Sequence, residues 1–187
     1  MRYLLLLVLL STQAIASEPF EIKGVKLGAT EAEVLEKNPD IKRCENAAKA
    51  GARSALADRE CSIWRNLHKD DVAVFAGFPA SISFKLINEQ VGYVSVHLDS
   101  VHFNEVVAAL KSKYGEPSSN KTEVVTNRMG AKFENNIVEW RQGASVIRAY
   151  KIASRINNSS VMLFTESYFK DVERRQAEIA AERAKSL

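Results

Sequence analysis

The clearest pattern in the chain is an apolar stripe with helical spacing between residues 103 and 114. Its members recur at positions i, i+3, i+4, i+7 and i+11 and are Phe103, Val106, Val107, Leu110 and Tyr114. Residues with this spacing lie on one face of an α-helix. Gly115 and Pro117 follow directly, and both residue types are typical of the end of a helix. The pattern therefore predicts a helix that packs its stripe against a hydrophobic core.

Two segments before this helix alternate apolar and polar residues instead. Residues 81–86 and 91–99 show this period of two, and a short polar turn at 88–90 separates them. The second segment places aliphatic residues on one side and polar or aromatic residues on the other: Val94, Val96 and Leu98 against Tyr93, Ser95, His97 and Asp99. Such alternation is typical of half-buried strands, so the two segments predict a hairpin within an antiparallel meander.

Weaker patterns extend this order of elements on both sides. Thr30 and Glu33 form a capping box that predicts a short first helix. Further strands are predicted at 62–64, 72–75, 122–125, 136–141, 144–152 and 161–167, and a charged terminal helix at 170–187. This order predicts an α+β fold of two tandem helix-plus-antiparallel-sheet units with a C-terminal helix. The predicted boundaries are 17–98, 99–169 and 170–187.

The first 16 residues have the layout of a secretory signal peptide. Arg2 supplies a positive charge, residues 4–10 are an unbroken apolar run, and Ala14 and Ala16 form a small-x-small cleavage site. The apolar run is too short for a membrane span, which needs about 20 residues. No cysteine follows the cleavage site to carry a lipid. We therefore expect a periplasmic or secreted chain that begins at Ser17 and has no stable membrane insertion after cleavage.

Cys44 and Cys61 are the two cysteines of the sequence. Their spacing lacks the short paired ligands of a zinc site, and in an exported protein such a pair favours a disulfide. Two free buried thiols are the alternative, and a catalytic thiol is disfavoured because neither cysteine has a histidine nearby. The segment between them is charged and alanine-rich, with Leu56 as its one large apolar residue. We expect an exposed loop that the disulfide closes.

The net charge and the absence of known catalytic motifs make several classes of function less favoured. The chain has 26 basic and 23 acidic residues, and loss of Arg2 with the signal peptide leaves 25 against 23, a net charge of +2. Basic residues are interleaved with acidic ones, which argues against a nucleic-acid partner because phosphate binding needs a clustered basic face. No G-x-S-x-G motif or phosphate-binding glycine loop is present. We therefore predict no catalytic residues and no cofactor.

His97, Asp99 and His102 are the best candidates for a metal or acid–base cluster. His97 and Asp99 share one side of the predicted strand, and His102 begins the next helix. Three such ligands suit zinc, but an exposed polar strand face that leads into a helix cap is the simpler explanation. We favour that second interpretation and predict no metal site. Trp64 and Trp140 are candidate recognition anchors, although core positions in a small sheet are the favoured interpretation.

The segment from Gly24 to Val34, with the sequence GVKLGATEAEV, resembles the opening of BamE-like and β-lactamase-inhibitor-protein-like envelope proteins. Those proteins begin G-x-x-LG-x-T-x-x-EV, where a strand leads into the first helix. The resemblance implies small bacterial α+β units with helices on one face of an antiparallel sheet, which bind other proteins through an exposed sheet face and loops. BamE-like proteins are usually lipidated, and this chain lacks the necessary cysteine. No contact residue of these families matches a position here.

These observations together predict a non-catalytic exported protein-binding module, such as an inhibitor or an envelope accessory factor. Its partner is expected to be another envelope protein. The expected contact surfaces are the sheet face away from the helices and the disulfide-closed loop, with Lys49, Arg53 and Arg59. The alternative is a small periplasmic enzyme or ligand-binding protein whose site the sequence does not reveal.

Overall fold

The computed structural model describes residues 19–41, 44–46, 59–63 and 73–184. The helices of this part are α1 (Glu31–Lys37), α2 (Phe103–Tyr114) and α3 (Glu166–Ala184), and a short 3-10 turn, Ser100–His102, precedes α2. Its strands in chain order are β1 (Glu21–Ile22), β2 (Val25–Lys26), β3 (Glu45–Asn46), β4 (Arg59–Ile63), β5 (Val74–Phe75), β6 (Phe78–Ile87), β7 (Gln90–Asp99), β8 (Ser119–Thr126), β9 (Lys132–Gln142), β10 (Ser145–Tyr150) and β11 (Asn158–Thr165).

Most of these strands belong to one antiparallel sheet. Its order is β3-β4-β6-β7-β11-β10-β9-β8, with β5 paired to β6 beside this path, and β1 and β2 form a separate hairpin. The predicted strands at 81–86 and 91–99 are confirmed as β6 and β7. Asn88 and Glu89 join them with φ angles of 51° and 65°, as two-residue turns that match the twist of the strands require.

The prediction of two tandem helix-plus-sheet units is wrong. The described part of the chain is mostly β, and a single nine-stranded sheet contains strands from both halves of the sequence. The two sets of strands meet where β7 pairs with β11. This pairing satisfies backbone groups that two separate sheets would leave on exposed edges, and it merges the two apolar faces into one larger core. The predicted boundaries at 17–98, 99–169 and 170–187 stay predictions.

One side of the sheet, which we call the helix face, carries the main hydrophobic core. Strand residues on this face alternate with polar residues and a second, smaller set of apolar residues that point to the opposite side, which we call the open face. The largest fully buried side chains of the helix face are Trp140, Phe84, Ile82, Leu86, Ile147, Leu163, Val91 and Val94. Trp140 is therefore a core residue, as favoured from the sequence, and its Nε1 donates to Gly115 O at 2.9 Å.

Helices α1 and α2 cover the helix face, and the local patterns that predicted them are confirmed. Thr30 and Glu33 form the capping box of α1, since Thr30 N donates to Glu33 Oε2 at 2.7 Å. In α2, Phe103, Val106 and Leu110 are buried, and the other two members of the predicted stripe pack partly buried against the same cluster. The helical spacing of apolar residues thus identified the face that enters the core.

A disulfide joins Cys44 to Cys61, as the sequence predicted. The Cα atoms lie 4.2 Å apart, and both residues are buried in the main core. Cys61 belongs to β4 and lies opposite Phe84 of β6. The bond therefore attaches the chain before β3 to the sheet on its helix face. Residues 47–58 of the intervening loop lie outside the described ranges.

Helix α3 covers one end of the open face. It begins at Glu166, earlier than the predicted segment 170–187, because β11 leads directly into it. Tyr168 is buried and stacks on Tyr93 with ring centroids 5.0 Å apart, within a second small cluster that includes Phe164 and Val146. Most described side chains after Tyr168 are exposed. The start of α3 is therefore held by aromatic packing and by the partly buried Val172, while the remainder lies at the surface.

We predict that Tyr168→Ala lowers the free energy of unfolding by about 2–4 kcal/mol, because it removes a buried aromatic ring. The matched control is Phe169→Ala, which removes a neighbouring ring whose side chain is 40% exposed and should cost clearly less. Chemical denaturation of both variants measures the difference. Equal costs would contradict the assignment of Tyr168 to the second core.

Candidate functional site

The open face presents a polar surface between α3 and the strands at the far end of the sheet. Three pairs of neighbouring positions on β6 and β7 contribute hydroxyl, amine and imidazole groups. In register these pairs are Ser81 with His97, Ser83 with Ser95, and Lys85 with Tyr93. Because both strands keep strict alternation here, every second residue adds to the same surface. The sheet thereby brings together polar groups that are eight to sixteen residues apart in the sequence.

These residues line a shallow cleft, which we call the serine cleft. Its volume is about 190 Å³, and its lining residues are Glu60, Ser81, Ile82, Ser83, Lys85, Ser95 and His97. Glu60 of β4 forms one wall of the serine cleft. Its Oε1 accepts hydrogen bonds from Ser83 Oγ at 2.6 Å and from Ser62 Oγ at 3.1 Å. The carboxylate is therefore held in place by the strand hydroxyls beside it.

His97 lies at the other end of the serine cleft and is half buried. Burial lowers the pKa of the imidazole, a hydrogen bond with the Asn158 side chain opposes this effect, and the nearby charge of Lys85 lowers the pKa further. The neutral ring is thus favoured at neutral pH. A neutral imidazole can both donate and accept a hydrogen bond, so His97 can contact either a donor or an acceptor.

Ser160 lies directly across from His97, on β11. The residue is fully buried, and no described residue hydrogen-bonds its Oγ. A buried polar atom without a partner costs free energy, which an ordered water or a bound polar group would recover. Ser160 Oγ and Asn158 Oδ1, two positions apart on β11, are buried polar atoms near His97 without a partner among the described residues.

A network of charges occupies the adjoining part of the open face. Glu139 on β9 is nearly buried, and its two oxygens accept from Arg148 Nε at 2.6 Å and from Arg141 Nε at 2.5 Å. Arg141 also pairs with Glu166 at the start of α3, and the hydrogen bond from this guanidinium lowers the pKa of the Glu166 carboxyl. The Arg148 guanidinium lies over the ring of Phe164, 5.1 Å from its centroid. These contacts connect the sheet to α3.

The three residues predicted as the best candidate cluster do not meet in one site. His97 and Asp99 share the open face, as predicted, but Asp99 Oδ1 accepts from Val101 N at 3.1 Å and caps the 3-10 turn. His102 stacks on Phe78 with ring centroids 4.1 Å apart. Within the described ranges, no three histidine, cysteine, aspartate or glutamate side chains are placed together as a metal ion would require.

The predicted partner contacts cannot be placed. Lys49 and Arg53 lie outside the described residues, and Arg59 is placed only as a backbone position at the start of β4. Trp64 also lies outside the described residues. Cys44 and Cys61, by contrast, form the predicted disulfide.

Sequence reasoning missed the residues that build the serine cleft and the charge network. The tight turn at 88–90 sets the pairing of Ile87 with Gln90 and of Leu86 with Val91. A register shift between Lys85 and Leu86, which the sequence did not indicate, then brings Ser83 opposite Ser95. Glu60 was not predicted to lie on this sheet, since the predicted strand began at Ser62. The pairing of Glu139 with Arg148 depends on the neighbouring position of β9 and β10.

Comparison of the chain with models of known protein families found no match, and comparisons with curated proteins and with solved structures found none either. The resemblance of residues 24–34 to BamE-like and β-lactamase-inhibitor-protein-like proteins stays a prediction. Among the helices of the described ranges, none combines the length and apolar character needed to cross a bilayer.

We predict that His97 makes stability depend on pH. Its pKa in the folded protein lies below the ordinary value of 6.5, so at mildly acidic pH the unfolded chain binds more protons than the folded one. The free energy of unfolding should therefore fall as the pH is lowered through about 6.5. Denaturant titrations at a series of pH values measure this slope.

His97→Gln should reduce that pH dependence, while His102→Gln should retain the part that His97 causes. An unchanged slope in His97→Gln would contradict the assignment. The comparison tests the burial of His97 in the serine cleft independently of any ligand.

Proposed function

We propose that this chain is an exported protein-binding module that contacts another envelope protein through the open face of its sheet. The disulfide between Cys44 and Cys61 is compatible with an oxidising compartment outside the cytoplasm. The layout of the first 16 residues adds the expectation of a signal peptide. Both observations support export to the periplasm or the medium.

The observation that carries the binding role is the open face itself. α1 and α2 cover the helix face, whereas on the other side α3 packs only through its first two turns, up to the partly buried Val172. The uncovered part combines partly exposed apolar side chains, such as Met162, Tyr150 and Ile137, with hydroxyls and fixed charges. A mixture of apolar contacts and oriented polar groups is typical of surfaces that recognise proteins.

The hydrogen bonding of the acidic residues supports binding rather than catalysis. Glu60 accepts from two serine hydroxyls, and Glu139 accepts from two arginines. Both carboxylates are thus engaged in shaping the face. Such preorganised polar groups lower the conformational cost of binding because they are already ordered in the free protein.

His97 favours a second candidate function, the binding of a small polar ligand in the serine cleft. Its half-buried imidazole lines the cleft together with the side chains of Ser81 and Ser95. A hydroxylated or amide-containing ligand could donate to one of these groups and accept from another. This candidate predicts an effect of Ser95→Ala on ligand binding and none on a protein contact made elsewhere on the face.

The proposed function is tested by affinity capture from envelope extracts with the mature chain as bait. We expect Met162→Glu to abolish capture of a specific partner, because Met162 lies between Ser95 and Arg148 in the centre of the open face. Met129→Glu is the matched control, since Met129 is 89% exposed in the turn between β8 and β9. It makes the same chemical change away from the face and should leave capture intact.

Thermal melting of both variants establishes that they are folded, and intact mass of the exported protein shows whether it begins at Ser17. Equal capture by the two methionine variants would rule out the open face as the contact surface. Alanine replacement of Lys49, Arg53 and Arg59 tests the disulfide-closed loop separately. A hydrolytic activity removed by a single substitution would overturn the binding role.

A further inference from the structure

The nine-stranded sheet ends in a long and exposed edge strand. β8 pairs with β9 on one side over eight residues in unbroken register, from Ser119 with Glu139 to Thr126 with Lys132. Within the described residues no strand lies on its other side. Six of its eight residues are exposed, and Val124 is 63% exposed. β8 therefore presents a row of backbone donors and acceptors to solvent, a ready template for a further strand.

Apart from charge, β8 lacks the features that usually prevent an edge strand from pairing with another strand. It is not shortened, contains no proline and has no bulge in its pairing with β9. Its only charged residues are Lys121 and Glu123, which share one face of the strand because they are two positions apart. Asn135 Nδ2 donates to Glu123 Oε1 at 3.1 Å, and Lys121 makes no ion pair with another described residue.

The order of these two charges makes the strand complementary to itself. In an antiparallel pair of β8 strands related by a two-fold axis at Thr122, Lys121 of each copy lies opposite Glu123 of the other. Shifting the axis by one residue places Lys121 opposite Lys121 or Glu123 opposite Glu123, which is unfavourable. The register centred on Thr122 also pairs nearly the full length of β8.

We propose that β8 is a self-association edge, through which two copies of this chain join their sheets in antiparallel orientation with Thr122 at the two-fold axis. Opposite charges that face each other across antiparallel strands stabilise the pair, as do facing threonines. An uncharged strand from another protein would have to desolvate Lys121 and Glu123 without compensation. The two charges therefore favour pairing with a second copy of this chain over pairing with an uncharged strand.

The surface involved is one strand wide, so the dimer is expected to be weak and dependent on concentration. Interfaces that bury little area form transient complexes. The contact lies at the opposite end of the sheet from β4 and does not require the serine cleft. Self-association through β8 is therefore compatible with a partner bound on the open face, and the two can be tested separately.

The test is sedimentation equilibrium of the mature chain over a wide concentration range, with three variants. Lys121→Glu and Glu123→Lys each place like charges opposite one another at both symmetric positions. Each should weaken self-association by about tenfold or more. The double variant Lys121→Glu/Glu123→Lys exchanges the two charges and should restore self-association to near the level of the unmodified chain.

A mixture of the two single variants is the most specific measurement. Lys121→Glu carries two acidic residues on its edge and Glu123→Lys carries two basic ones, so the two proteins should associate with each other more strongly than either does with itself. Since both side chains are exposed, thermal melting should show that all variants remain folded. A chain that is monomeric at every concentration overturns the proposal, as does self-association that the charge reversals leave unchanged.

Discussion

The pairing of β7 with β11 is the contact on which the rest of the structure depends. It aligns Tyr93–Asp99 with Asn158–Phe164, segments separated by all of α2 and three further strands. Both strands are central in the sheet, so their backbone groups are satisfied on both sides. Their aliphatic residues then add to one continuous apolar face. Without this pairing, each half would have to bury its own smaller core, which stabilises a domain less per residue.

Alternation along the central strands, interrupted only by the register shift between Lys85 and Leu86 in the pairing of β6 with β7, decides what lies on each side of the sheet. The helix face receives the large apolar side chains and is covered by α1 and α2. The open face receives serines, His97 and the pair formed by Glu139 and Arg148. Polar groups that are nearly buried need partners, and most on this face bond to one another across strands. The polar network of the candidate site is therefore a consequence of how the sheet itself is built.

Part of the candidate site could be predicted from the sequence. The period of two placed His97 and Asp99 on the same side of a strand, and the structure confirms this. The sequence pattern did not show that Asp99 caps a turn or that His102 stacks on Phe78. Both contacts depend on the angle at which α2 leaves the strand. Glu60 reaches Ser83 only through the pairing of β4 with β6, across a segment with weak sequence patterns.

The sequence by itself determined the elements that depend on local spacing: the stripe of α2, the capping box of α1, the hairpin of β6 and β7, and the disulfide made by the only two cysteines. These follow from interactions between residues close in the chain or from the absence of any other partner. Only the tertiary structure decided that the two halves share one sheet, that Tyr168 closes one end of the open face, and that β8 is left as an edge. Strand order depends on contacts between residues far apart in the sequence, and several orders satisfy the same alternating pattern. The choice among them depends on which one buries the combined apolar faces while satisfying the backbone.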